Sequence, residues 1–414
     1  MRGDRFSAKP WTAQPGSTFG ESPIPNPQSP IPNPSFAASP PKGADAAKHN
    51  AIPRPRRHTQ RPRAAAVPVD VKGKVTSFDI AHMAGVSQPT VSRALRDSPL
   101  VNTETRRRIK AIAQQLNYKV DKNASNLRTQ HAGTLALLLF EDANCDESQI
   151  NPFFHAMLAS ITRACGARGF DLLVSFQQMS RDWHADYEDA KKADGLILLG
   201  YGDYEAYRQK LDQLVAQGTH FVRWGAVQAD QPGVSIGSDN ASGGEQATRH
   251  LIAQGRQRIA FLGDASPHYP EFEARHRGYQ RALKAAKLPC PKRLRVDALS
   301  SEADGIAAAH ELLRRGEPFD AIFAASDLIA LGAMQALIER GLRVPEDVAV
   351  AGFDDIPMAR LAQPALTTVQ QDTRGAGAVL VSTLIDLIQG RPGHSRELDT
   401  RLVVRRSCGG AGAT

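Results

Sequence analysis

Val75–Leu95 reads VTSFDIAHMAGVSQPTVSRAL, the pattern of a helix, a tight turn and a second helix. Thr76 or Ser77 offers a side-chain oxygen to a free backbone N–H and so caps the first helix. Ile80, Ala81 and Ala84 lie on one side of it. Gly85 permits the left-handed conformation that ends a helix. Val86 is a buried-type residue in the turn, and Ser87 is placed to cap the second helix. Pro89 falls in the first helical turn, where a missing N–H costs little. Val91 and Leu95 are four apart and share the inner face, which leaves Gln88, Ser92, Arg93 and Arg96 to point outward. Such a helix suits insertion into a DNA major groove. An ordinary helical hairpin is the plainer alternative, and the agreement of turn and cap chemistry weighs against it.

The charge distribution points the same way. The 414 residues carry a net +8. Residues 1–75 hold a net +8 and 76–131 a net +5, so 132–414 hold a net −5. A basic nucleic-acid end joined to an acidic globular body fits that asymmetry. Cys145, Cys165, Cys290 and Cys408 are far apart, without a C-x-x-C pair, so neither a zinc site nor a disulfide framework is expected. The N-terminus lacks the apolar core of a secretory signal, and no apolar run reaches the length of a membrane span. A cytoplasmic protein is expected, with no metal and no cofactor.

Residues 1–72 read as a disordered, basic, Pro-rich extension, with SPIPNP twice and RPRRHTQRPR at 54–63. After the two opening helices, Asn102 or Thr103 starts a third that runs to about Leu116. Its buried face is Ile109, Ile112, Ala113 and Leu116, with Arg106, Arg107, Arg108 and Lys110 opposite. Residues 117–130, NYKVDKNASNLRTQ, are largely polar. Within them Lys122–Thr129 has the length of two helical turns, marginal alone in water.

From Gly133 apolar runs alternate with amphipathic helices. The runs are TLALLLF (134–140), FDLLVSF (170–176), GLILLG (195–200), HFVRWG (220–225), RIAFLG (258–263), FDAIFAA (319–325) and DVAVAGF (347–353). This predicts an α/β fold of doubly wound parallel sheets. About 280 residues exceed one such sheet, so two lobes are expected around a shared ligand cleft.

The blocks now assembled resemble the lactose-repressor (LacI/GalR) family of bacterial transcription regulators over about Val75 to Ser407. They are DIAHMAGVSQPTVSRAL, LNY at 116–118, NPFF at 151–154, SDNASGG at 238–244, RHRGY at 275–279, and the long block 326–372. The resemblance implies a helix-turn-helix headpiece (73–120) and a hinge helix or linker (121–131). A two-lobed, periplasmic-binding-protein-like effector and dimerisation domain (132–409) and a tail (410–414) complete the chain.

By that resemblance Ser87, Gln88, Pro89, Thr90, Ser92 and Arg93 begin the recognition helix, with Arg96 on the same outer face. Gln88 and Pro89 stand at the positions the family varies to choose its operator, and Arg93 suits a guanine edge. Thr76, Asn102, Thr105 and Tyr118 fall where the family holds phosphates. Ala124 and Leu127 match the hinge helix, whose leucine wedges into the minor groove. A homodimer on a near-palindromic operator is implied. No leucine heptads come after LVVRRS at 402–407, so a coiled-coil tetramer is not expected.

In the sensor, Arg275 and Asp354 match ligand-binding positions and suit a polyhydroxyl ligand, one donating and one accepting. Their plainer alternative is a structural ion pair. Gln371 matches a further polar position. Ser326 departs from the family's frequent asparagine. Phe153, Trp224, Asp239 and Tyr269 are looser candidates, Trp224 being read equally as a sugar-stacking or a core residue. RWG at 223–225 and HYPEFEAR at 268–275 resemble glucoside-responsive members. The expected function is a repressor of carbohydrate-utilisation genes, released from its operator by a mono- or disaccharide. A corepressor-type regulator and a sugar-binding protein without a DNA role are the alternatives. A hydrolase reading of GVSIG (233–237) lacks the strand–turn–helix context that a nucleophile elbow needs, and HELLR (310–314) lacks a second metal-binding histidine.

Overall fold

The structure is a computed structural model and describes residues 75–119, 131–140, 150–177, 181–200 and 202–409. The 1–72 extension, Ala124 and Leu127 of the expected hinge, Cys145 and the 410–414 tail lie outside the described residues.

The first three helices are α1 (Ser77–Ala84), α2 (Gln88–Leu95) and α3 (Thr103–Gln115). Thr76 closes a capping box with Asp79, and Gly85 ends α1 at φ 62°. Asn102 caps α3 through the Thr105 N–H at 2.7 Å. Ser87 departs from expectation. Its hydroxyl meets the Thr90 hydroxyl at 2.9 Å, and no side-chain cap forms on α2. The inner face of α2 also differs in phase: Val91 and Ala94 are buried, whereas Leu95 is half-buried. The core of this bundle is Ile80, Ala81, Ala84, Val91, Ala94, Val101, Ile109 and Ala113. Four of these are alanines, so it buries little area per residue and relies on its caps.

Among the described residues the strands after 131 form two six-stranded sheets. The first contains β1 (Thr134–Leu139), β2 (Asp171–Phe176), β3 (Leu196–Leu199), β4 (Phe221–Trp224), β5 (Val234–Ser238) and β11 (Arg396–Leu398), in the order β11-β5-β4-β3-β1-β2. The second contains β6 (Ile259–Leu262), β7 (Arg295–Val296), β8 (Ala321–Ala324), β9 (Ala349–Asp354), β10 (Thr367–Gln371) and β12 (Thr400–Val403), in the order β12-β10-β9-β8-β6-β7. Every pairing is parallel except β10 with β12. The expected last strand, LVVRRS at 402–407, therefore begins earlier and is shorter, because its register is set by β10 (Val369↔Leu402). Central strands such as Leu135–Leu138 are wholly buried, as helices on both faces require. Each such leucine contributes roughly 1.5–3 kcal/mol by burial.

The chain crosses between lobes at 238–240, 371–373 and 398–400. Two crossings lead straight into helices, α6 (Asn240–Ala253) and α11 (Thr373–Ile388). Asp239 caps the first through the Ser242 N–H and Asp372 the second through the Gly375 N–H. The other α-helices among the described residues are α4 (Pro152–Ala167), α5 (Tyr204–Ala216), α7 (Pro270–Ala285), α8 (Glu302–Arg314), α9 (Asp327–Glu339) and α10 (Pro357–Leu361).

Candidate functional site

On the three-helix bundle, Pro89, Arg93 and Arg96 are exposed and Gln88, Thr90 and Ser92 are half-buried. Gln88 donates to the Ser77 hydroxyl at 3.2 Å and so ties α2 to the start of α1. Arg96 folds back on the carbonyl and hydroxyl of Ser92, both at 3.1 Å, which leaves Arg93 as the outward fork of this helix. Thr76 and Asn102 stand at the amino ends of α1 and α3, where helix dipoles favour anions. Thr105 sits in the first turn of α3, and Tyr118 packs half-buried against the bundle core. Of the arginines expected opposite the core, Arg106 turns inward to the carbonyls of Ser98 and Val101. Lys110 pairs with Asp97. Arg107 and Arg108 remain exposed.

The second cluster lies where the carboxyl ends of the two sheets face one another. Asp354 ends β9, and it and Asp355 have φ of 119° and 56°. Such backbone is uncommon for residues with a Cβ, and at φ 119° Asp354 stands apart from the other described non-glycine residues of positive φ, which are left-handed at 48–58°. Arg275, on α7, is fully buried. Its Nε donates to Asn240 at 2.9 Å and its Nη1 to the Ala325 carbonyl. Its guanidinium lies 3.7 Å from Asp354 and stacks 3.8 Å above the Phe353 ring. Gln371 donates to Asp354 at 2.6 Å and accepts from Ser238 at 2.7 Å. One polar chain thus runs from β5 of the first lobe into the second. Phe153 lines a cavity with Asp354 and Gln371, and its ring centroid lies 6.1 Å from that of Trp224 inside the first lobe's core. Ser326 is buried, caps α9 and accepts from Ser300. Asp239 is drawn to the end of α6 as its cap. Tyr269 stacks on Phe272.

Several cleft residues escaped prediction from sequence. Asn151 donates to Ser300 across the cleft at 3.2 Å. Glu271 accepts from the Ala226 N–H at 2.6 Å, and His268 meets Asp203 at 2.7 Å. These contacts join residues far apart in sequence, and none carries a local signal. They hold the lobes close, and the cavity lined by Phe153, Asp354, Ile356 and Gln371 measures about 60 Å³.

Electrostatics reflect burial. Burial raises the Asp354 carboxyl to about 7, against the pull of Arg275 and the Gln371 hydrogen bond. Burial and the nearby Asp354 raise Asp327 well above the ordinary range, although Thr368 and the Ile356 N–H donate to it. Both buried carboxyls are thus pushed upward, Asp354 to about 7. A raised carboxyl contributes stability that is full below about pH 4, its unfolded value, and lost as pH rises through about 7. From pH 6 to 8 the wild-type melting temperature should fall relative to that of Asp354→Asn. A constant gap between the two melting curves would reject the assignment.

The sequence profile of bacterial regulatory proteins of the lacI family matches residues 78–121, and that of the periplasmic binding protein-like domain matches 248–408. The HTH-type transcriptional regulator CelR of Thermobifida fusca is 33% identical over 332 residues, covering 79% of this chain and 96% of that protein. A CelR–cellobiose complex superposes with a TM-score of 0.61 at 31% identity, over 81% of this chain and 100% of that one. The Lac repressor dimer bound to operator and the anti-inducer ONPF gives 0.66 at 26% identity, over 81% and 99%.

Proposed function

Because this chain belongs to the lacI family of bacterial regulatory proteins, we propose that it is a sequence-specific transcriptional repressor, acting in the cytoplasm, whose operator binding is released by a small sugar. The observation that carries the sugar reading is the buried Arg275–Asp354–Gln371 chain, whose Asp354 and Gln371 share a cavity with the Phe153 ring. It joins donors, acceptors and a flat apolar wall, which suits a polyhydroxyl ring. The cellobiose-bound relative supports a gluco-configured ligand.

Release is a matter of linkage. A ligand that prefers one lobe arrangement, where DNA prefers another, weakens operator binding by the free-energy difference. About 1–3 kcal/mol corresponds to roughly 5–150-fold.

The chain acts as a dimer in this reading. The edge strand β2 exposes Leu173 and Val174, and Ile338, Met358 and Leu361 are exposed on the second lobe. Apolar groups on an open sheet edge support pairing with a second copy. A two-fold dimer reads a near-palindromic operator.

The test is fluorescence anisotropy at fixed salt with duplexes from upstream of the gene itself and of its neighbours, with and without a panel of mono- and disaccharides that includes cellobiose. The expected result is tight binding to one duplex, weakened by one sugar. Strengthening by a sugar would reverse the sign and leave a corepressor. Sugar binding with no operator would reject the DNA reading. Arg93→Ala should weaken operator binding by about 1–3 kcal/mol and relax preference at one base pair, leaving nonspecific binding nearly unchanged.

A further inference from the structure

The amino end of the first lobe carries a feature that the repressor reading does not use. Asp194 precedes β3 at the end of the lobe opposite the cleft. Its carboxylate is almost fully buried and spends both oxygens on the incoming chain. Oδ1 accepts from the Ala132 N–H at 2.6 Å and Oδ2 from the Gly133 N–H at 2.7 Å. Its own N–H donates to the Thr134 carbonyl at 2.8 Å. His131 stands 3.5 Å from Oδ1. Gly133 is left-handed at φ 63°, which turns the two successive N–H groups toward one carboxylate. β3 is paired in register with β1 (Ala136↔Leu196), so Asp194 moves with the sheet.

We infer that Asp194 is a positioning residue for the switch: its carboxylate clamps the chain at 132–133 to the first lobe, so that lobe motion is passed to the segment preceding it. The inference rests on the repressor reading above and adds the point of attachment. Ionised acceptors make hydrogen bonds about twice as strong as neutral ones, and two of them fix direction as well as position. An asparagine of nearly the same shape accepts with one oxygen only and turns an N–H donor toward the second backbone N–H. Asp194→Asn therefore opens half of the clamp with little change of volume.

The experiment measures operator affinity of the full chain with and without cellobiose, or the panel sugar to which the wild type responds, together with sugar affinity and the thermal midpoint. For Asp194→Asn the expected result is a sugar-induced change in operator affinity at least fivefold smaller than in the wild type. Sugar affinity should stay at the wild-type value, and the thermal midpoint should fall by a few degrees at most, as the loss of one partly buried hydrogen bond requires. His131→Gln, which leaves both backbone bonds in place, should keep the wild-type ratio. An Asp194→Asn chain with the wild-type ratio overturns the inference and leaves the repressor reading standing. One that loses sugar affinity and stability together shows a merely structural residue and also overturns it. A wild type that answers no sugar overturns both readings.

Discussion

Arg275→Ala should abolish the sugar response and destabilise the sensor by about 3–5 kcal/mol, the cost of leaving one member of a buried pair alone. The guanidinium satisfies Asn240 and the Ala325 carbonyl and lies between the Phe353 and Phe272 rings. Its loss leaves those acceptors without their donor and Asp354 without its countercharge in a site where it is 4% exposed. The desolvation of a carboxylate outweighs the Coulomb gain of most pairs, so the sign depends on what remains. Arg275→Met combined with Asp354→Leu removes both charges and should recover most of the stability, since an apolar replacement of a whole buried pair is often neutral. It should not recover the sugar response. Arg275→Lys keeps the charge but not the planar fork, so Asn240 and Ala325 cannot both be reached. It should fold and bind sugar more weakly. Thermal melts with and without cellobiose separate these outcomes. A stable Arg275→Ala chain with a wild-type sugar response would show that the arginine does neither job.

The parts of this molecule written in local chemistry were legible in the sequence. Thr76, Gly85 and Asn102 end or begin helices by contacts within a few residues, and each does so in the structure. The central strands were legible because a strand buried on both faces must be apolar throughout. Where a residue has two local partners of similar worth, reading fails: Ser87 could cap α2 or meet Thr90, and it meets Thr90. Short polar strands failed for another reason. β11 has three residues, and its pairing of Arg396 with Ile236 joins parts of the chain that nothing local relates. The cleft divides in the same way. Arg275, Asp354 and Gln371, each placed in the sensor by a separate sequence block, lie together in the structure. The contacts of Asn151 with Ser300 and of Glu271 with Ala226 were invisible because each joins the two lobes between residues far apart in sequence. Trp224, read equally as a sugar-stacking or a core residue, packs in the first lobe's core beside Phe153.

Gly278→Ala should disable the same site without touching a polar group. Helices α6 and α7 approach backbone to backbone through two glycines. A Cβ on Gly278 would lie 2.0 Å from the Ala241 carbonyl oxygen, and one on Gly244 would lie 2.2 Å from the carbonyl oxygen of Arg275. Neither obstacle is a side chain that can swing away, so the helices must part by more than an ångström. Overpacking of this kind costs about 1–3 kcal/mol, and more where backbone must move. The helix propensity gained by replacing glycine with alanine is about 1 kcal/mol and does not offset it. The displacement falls on the cleft, because Arg275 is three residues from Gly278 and Asn240 is next to Ala241. A bond of 2.9 Å between Arg275 and Asn240 does not survive a shift of that size. Lower stability and weaker sugar binding should therefore appear together. Gly166→Ala is the control: it lies in α4, and a Cβ there meets nothing within 4 Å. It should be neutral or stabilise by up to about 1 kcal/mol, with sugar binding unchanged. If Gly278→Ala melts like the wild type, the two helices have room that the close backbone approach denies, and the placement of Arg275 does not depend on it.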